Sequence, residues 1–148
     1  MPRYTTVIPS SWRPQDAFAY LSDFANAAQW DPGVVGARRL GSGPIDVNAV
    51  FELDVKVGRR QSTLRYRITQ FEATSRVQFV ASTTWLKSVD TLTFNEWLGG
   101  CEVTYDAQLH FRGVAAIANP ILGLVFRRIG DRARDSLREL LGAPRAAA

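Results

Sequence analysis

The sequence predicts an α+β fold: a seven-stranded, curved antiparallel sheet wrapped around a long C-terminal helix, with two short helices between strands 1 and 2. Three observations carry this expectation. From residue 34 to residue 112, apolar side chains recur at every second position in segments joined by short connections, the pattern of an antiparallel meander with one buried face. From about residue 120 the apolar period lengthens to that of an amphipathic helix. Between the first strand and the meander lie two short helical patterns. A chain of 148 residues, 46% hydrophobic and 22% charged, suits one domain spanning 1–148 around one core, with order expected from about residue 3 to residue 141.

Taken in order, Tyr4 to Ile8 reads as a short strand ended by Pro9. Ser10-Ser11-Trp12-Arg13-Pro14 reads as a helix start, with Pro near the first turn. Phe18, Leu21 and Phe24 then share one helical face. A second helix is expected from Asn26, a good N-cap residue, to Trp30, and Asp31-Pro32-Gly33 stops it. Val34 to Leu40 reads as a strand and Gly41-Ser42-Gly43-Pro44 as a loop. Phe51, Leu53, Val55 and Val57 alternate with Glu52, Asp54 and Lys56. Gly58-Arg59-Arg60 turns the chain. Leu64, Tyr66 and Ile68 alternate with Arg65, Arg67 and Thr69; Val77, Phe79 and Ala81 follow, then Leu92 and Phe94. Leu98-Gly99-Gly100 is a hairpin signal. Val103, Tyr105, Ala107, Leu109 and Phe111 form the last apolar face. Val114 to Ala118 can form one helical turn. Asn119-Pro120 then opens the main helix, whose stripe is Ile121, Val125, Ile129, Ala133, Leu137 and Leu140, closed by Gly142 and Pro144. Gly123 and Gly130 lie inside that helix at a cost of about 1 kcal/mol each against Ala, which close packing or a need for flexibility would explain.

The inventory excludes several chemistries. No window approaches the roughly 18 apolar residues of a spanning helix, and the N-terminus lacks the apolar region of a signal peptide, so a cytoplasmic protein with no integral membrane segment is expected. Cys101 is the single cysteine and His110 the single histidine, which rules out an internal disulfide and a zinc set built from Cys and His. Gly41-Ser42-Gly43-Pro44 lacks the phosphate-loop pattern. No cofactor and no metal are expected. Among 18 basic residues 16 are Arg, for a net charge of +4. The arginines of the last helix offer an interaction surface, but no aromatic residues are interleaved with them, and nucleic acid is not expected as a partner. Asp131 and Asp135 fall among these arginines and should form ion pairs. A monomer or homodimer is expected.

The alternation sorts the remaining polar residues by face. Leu86, Ser88, Asp90, Leu92 and Phe94 share parity, so Asp90 should point inward among apolar neighbours, where desolvation raises a carboxyl pKa and lets it hold a ligand hydroxyl or move a proton. Asp90 is thus the candidate catalytic residue. Tyr66, Ser88 and Tyr105 share the inner face. Arg65, Arg67 and His110 fall on the opposite parity and should face solvent. One helix laid on a wide, curved sheet tends to leave a space, and concave apolar spaces are the usual small-molecule sites. Its expected lining is Phe18, Leu21, Phe51, Leu53, Tyr66, Phe79, Leu92, Tyr105, Ile121 and Val125, with Trp30 or Trp85 at an entrance and Ser88 and Asp90 as polar contacts.

The wording of the chain points the same way. Ala17-Phe18-Ala19-Tyr20-Leu21-Ser22-Asp23-Phe24 with Trp30-Asp31-Pro32-Gly33-Val34, Val89-Asp90-Thr91-Leu92-Thr93-Phe94 with Gly99-Gly100 and Val103-Thr104-Tyr105, and Asn119-Pro120 with Phe126-Arg127-Arg128-Ile129-Gly130 resemble the START-like, or SRPBCC, superfamily. Within it, they are similar to the bacterial polyketide cyclase/dehydrase group. The resemblance runs from about residue 3 to 141. It implies a helix-grip fold and binding or transport of a small hydrophobic ligand, such as a lipid, polyketide or aromatic metabolite, between sheet and C-terminal helix. It also admits a polyketide cyclase or dehydratase using the same cavity, or an interaction module with a filled core. Cyclases of the superfamily are understood to use an Arg within the cavity, whereas Arg65 and Arg67 fall on the outer parity here.

Overall fold

Period-two alternation dominates residues 34–111, and strands form there. The computed structural model describes residues 3–57, 59–113 and 119–142, apart from the side chains of 57 and 119–125. The strands are β1 (Arg3–Ser10), β2 (Val34–Leu40), β3 (Val50–Val57), β4 (Arg60–Glu72), β5 (Arg76–Ser82), β6 (Leu86–Trp97) and β7 (Gly100–Phe111). The helices are α1 (Pro14–Ser22), a 3₁₀ turn at Phe24–Asn26, α2 (Ala27–Trp30) and α3 (Asn119–Gly142). Every pairing is antiparallel, in the order β1-β7-β6-β5-β4-β3-β2. This is the helix-grip architecture.

β1 and β2 are adjacent in sequence but lie at opposite edges of the sheet. The segment joining them must therefore cross the apolar face. α1 packs on β6 and β7, the 3₁₀ turn on β2 and β3, and α2 on β2 and α3, while α3 lies along β1. The inner positions follow the expected parity: Phe51 and Leu53 on β3, Leu64, Tyr66 and Ile68 on β4, Val77, Phe79 and Ala81 on β5, Leu92 and Phe94 on β6, and Val103, Tyr105 and Ala107 on β7 are all buried. On the outer face Arg38 bonds both Glu52 and Asp54, Arg65 bonds Glu52, and Thr63 bonds Asp54. Exposed pairs of this kind are each worth at most about 1 kcal/mol, but they fit only one register of β2, β3 and β4.

Several local expectations are corrected. β1 does not end at Pro9; it continues to Ser10, with Pro9 opposite Glu102. β1 is an edge strand, so the missing Pro N–H breaks no ladder. Ser10 and Ser11 do not cap α1, whose N-cap is Arg13 with no side-chain bond and Pro14 in the first turn. They close the other end of the fold instead: the Ser10 hydroxyl and the Ser11 N–H donate to the Leu141 carbonyl at 3.0 and 3.1 Å, satisfying a last-turn acceptor of α3. Asn26 makes no capping bond for α2; its amide donates to the Tyr20 carbonyl at 2.9 Å. At the hairpin, Leu98 and Gly99 both take positive φ, 40° and 79°, the geometry favoured between twisted strands. Gly100 is needed for a different reason: a Cβ there would sit 2.0 Å from the Ser10 carbonyl oxygen.

The buried side of α3 is Ala133, Leu137 and Leu141. Leu141, one full step of four beyond Leu137, is buried as well, and the expected Leu140 packs partly buried against the core. Arg134 pairs with both Asp131 and Asp135, at 3.3 and 3.1 Å. The turn expected over 114–118 lies outside the described residues, as do the side chains of Ile121, Gly123 and Val125. Among the described residues, no helix is long and apolar enough to cross a membrane.

Gly130 sets the distance between α3 and the sheet. A Cβ there would lie 2.6–2.8 Å from three ring atoms of Tyr4, whose hydroxyl donates to Asp131 at 2.8 Å. Close packing therefore accounts for this glycine. Gly130→Ala should lose about 1–3 kcal/mol through the forced shift of helix or ring, outweighing the gain of about 1 kcal/mol that Ala brings to a helix interior. Urea unfolding of the two proteins checks this. A more stable variant would show that the Tyr4 ring slides aside freely.

Candidate functional site

The centre of the sheet's inner face carries polar groups in an apolar surround, and register explains how they meet. Tyr66 on β4, Ala81 on β5 and Ser88 on β6 form one row across three strands. Two strand spacings are roughly 9.6 Å, and the small Ala81 side chain lets the Tyr66 ring cross β5. Its hydroxyl donates to Ser88 Oγ at 3.0 Å. Asp90 sits one step further along β6, between Phe79 of β5 and Ala107 of β7. Tyr105 is next along β7, opposite Leu92. Asp90 is only 7% exposed and Ser88, Tyr66 and Tyr105 are likewise buried.

The front helices add a fourth polar side. Asp31 terminates α2, and its carboxylate accepts the Gly33 N–H at 2.9 Å. A Cβ on Gly33 would touch both that carboxylate oxygen, at 3.3 Å, and Ile129 of α3, at 3.6 Å. Asp31 thus lies in the seam between the front helices and α3, its carboxyl desolvated although the residue is only half-buried. The sequence reading assigned Asp31 to a helix stop and missed it as a site residue. The available signal was its position directly after Trp30, which places it beside the core.

Electrostatics bind these groups together. Burial pushes the Asp31 carboxyl up to about 6, against the pull of the Gly33 N–H. Asp90 rises to about 7, first from burial, then from the Asp31 charge, with the hydrogen bond to Ser88 opposing. The Tyr66 and Tyr105 hydroxyls are both raised well above their ordinary value, by burial and then by Asp90. Among the described residues, no basic group contributes to either interior carboxyl. Arg39 shares the inner parity of β2, opposite Phe51, but its guanidinium turns to the Gly43 and Pro44 carbonyls. A carboxyl poised near neutrality can accept or give a proton without a large driving force.

The expected lining residues divide into two groups. Tyr66, Ser88, Asp90, Leu92 and Tyr105 meet on the inner face around the polar centre. Phe51 and Phe79 are covered by Phe24 of the 3₁₀ turn, which stacks on Phe79 at 4.0 Å and meets Phe51 edge-on at 6.4 Å. Phe18 packs against Phe71 and Phe94, and Leu21 and Leu53 are fully enclosed. Ile121 and Val125 lie outside the described side chains. Trp30 does not stand at an entrance: it is 1% exposed, wedged against Phe24 and, at 80°, against Tyr105. Its indole Nε1 is enclosed with no hydrogen-bond partner. Trp85 is 44% exposed and stacks on Phe111. Arg65 and Arg67 face outward and His110 is half-buried.

Comparison with known proteins agrees with this architecture. No curated protein matches the chain by sequence. Among solved structures, it is similar to the Zhui aromatase/cyclase from Streptomyces sp. R1128, at a TM-score of 0.76 and 11% identity over 94% of this chain and 92% of that one. It is similar to a START superfamily protein from Mycobacterium smegmatis, at 0.74 and 11% over 94% of each. A Thermus thermophilus protein superposes at 0.75 with 10% identity over 95% of each. At such identities these likenesses speak to the fold. The sequence itself matches the family described as "Polyketide cyclase / dehydrase and lipid transport" over residues 1–142, and the chain belongs to that family.

Proposed function

We propose that the protein binds or carries a small hydrophobic molecule, such as a lipid, a polyketide or an aromatic metabolite, between the inner face of the sheet and the helices, with Asp90, Tyr66, Ser88 and Tyr105 orienting its polar end. The proposed place of action is the cytoplasm. The observation that carries the reading is the Asp90 carboxyl, buried on an otherwise apolar face among three hydroxyl-bearing side chains. A buried carboxyl costs stability, and a core needing only to be filled would place an apolar residue there. Family membership supports the same reading, since lipid transport is part of its description.

One observation favours a second reading. A carboxyl held at about 7 suits proton transfer, and a cyclase or dehydratase would use Asp90 as its general acid or base. The aromatase/cyclase among the structural neighbours makes this the natural enzymatic alternative.

Three outcomes follow. Native mass spectrometry of freshly purified protein, followed by organic extraction, should reveal an apolar compound bound near equal stoichiometry; a clean apo mass with no uptake from a lipid and aromatic panel would overturn the binding reading. Where the extracted compound is turned over, Asp90→Asn should lower kcat by about 10²–10⁴-fold while leaving binding intact; unchanged turnover removes Asp90 from the chemistry. The third concerns pH. In the folded protein Asp90 holds its proton up to about 7, whereas an unfolded Asp releases it near about 4. The folded state therefore binds more protons between those values, and stability falls as pH rises through that window, then levels off. Asp90→Asn should abolish most of that fall, gaining on the order of 2–4 kcal/mol over the parent at about pH 8 relative to about pH 4. Parallel unfolding curves at both pH values check the sign.

A further inference from the structure

We infer that the polar end of the ligand is a protonated amine, seated between the Asp31 and Asp90 carboxyls and the aromatic rings of Trp30, Tyr66 and Tyr105. The inference rests on the ligand-binding reading above and names the class of molecule it admits.

The argument starts from a missing counter-charge. Asp31 comes from the end of α2 and Asp90 from the middle of β6, and the two interior carboxyls repel one another. Neither has an Arg, Lys or His partner among the described residues. Of the stretches whose side chains are not described, 114–125 contains no basic residue and 143–148 contains Arg145. The groups that bear on Asp90 are Asp31, Ser88 and the outer-face Asp106, while Asp31 accepts the Gly33 N–H and shares the repulsion with Asp90. Arg39, the basic residue of inner parity on β2, gives its two Nη groups to loop carbonyls, while its Nε is buried with no partner among the described residues. A single ammonium group would offset one of the two negative charges and weaken the repulsion between the acids.

The surround selects the kind of cation. Trp30 and Tyr105 meet at 80° with ring centroids 5.8 Å apart, and Phe24 stands 5.1 Å from Tyr66. Aromatic faces attract desolvated cations, and two carboxyls with such faces are the chemistry of organic ammonium recognition. A hard metal ion needs six or more oxygen ligands or retained water, which a setting of this kind supplies poorly. Trp30 adds an independent mark: its enclosed Nε1 donor lacks an acceptor, which a heteroatom beside the amine would supply. The carboxylate head of a fatty acid, by contrast, would meet two acids and no cation.

Isothermal titration with dodecylamine, dodecanol and dodecanoate below their micelle concentrations, at about pH 7.5, separates the possibilities. Dodecylamine should bind at least about tenfold more tightly than either of the others. It should also release protons, read from the change in heat between buffers of different ionisation enthalpy. Asp90→Asn and Asp31→Asn should each erase that preference, and a cooperative thermal unfolding transition in each shows that the variants fold. The net charge of +4 attracts dodecanoate to the surface, so preference for the amine cannot come from bulk electrostatics. Equal binding of all three, or preference for dodecanoate, overturns the ammonium inference and leaves the hydrophobic-ligand reading standing. Binding of none overturns both.

Discussion

The need to cover one apolar face of a seven-stranded sheet constrains everything else in this fold. Seven strands span roughly 29 Å from edge to edge, whereas a helix with its side chains is about 10–12 Å across. α3 alone cannot cover that width. The chain meets the shortfall with the segment between β1 and β2, which has to travel from one edge to the other and does so across the open face. Phe24 shows the result: three residues of 3₁₀ turn drop one ring onto Phe79, Phe51 and Tyr66. Ser10 and Ser11 tie the same segment to the Leu141 carbonyl of α3, so the two covering pieces are fixed to each other as well as to the sheet.

Within that cover, the polar centre works against stability. A desolvated carboxyl without a cation is among the more costly things a core can hold, and here two of them lie within electrostatic reach. The fold lowers the cost only in part, through Ser88 for Asp90 and the Gly33 N–H for Asp31, and protonation does the rest only as pH falls through about 7 for Asp90 and about 6 for Asp31. Groups in such a position respond to whatever enters beside them, because any bound donor or cation relieves a penalty already present. Under the proposed binding reading, part of the binding free energy is therefore stored in the fold itself.

Much of this was legible in the sequence, because a two-residue period leaves little freedom. Placing Leu86, Leu92 and Phe94 inward fixes Ser88 and Asp90 inward, and the same parity sends Arg65 and Arg67 outward. What escaped reading depended on contacts distant in sequence or on a break in the period. Ser10 looks like a helix cap and is one, but for a helix ending 131 positions later. Pro9 looks like a strand terminator until β1 is known to be an edge. On β4 a register shift between Ile68 and Gln70 returns Phe71 to the inner side, where it meets Phe18; the step from Ile68 to Phe71 is the trace of that bulge. Asp31 was hidden by its own setting, since Asp-Pro-Gly describes a turn well whether or not the carboxyl faces the core.

The distribution of charge then separates what holds the protein from what it can recognise. The outer face uses its arginines to fix register: Arg38 and Arg65 are satisfied by Glu52 and Asp54, and Arg3 by Asp106. The last helix engages Arg134 with Asp131 and Asp135. A chain with more basic than acidic residues thus places a carboxyl among three hydroxyl-bearing side chains on its otherwise apolar described inner face. Long-range attraction and short-range recognition consequently have opposite signs. The surface field draws anions toward the protein, while a carboxyl at the centre of the sheet, once charged, rejects them at contact range, where the low dielectric makes its influence greatest. Under the proposed ligand-binding reading, specificity resides in the interior, and Asp90 is the residue proposed to decide it.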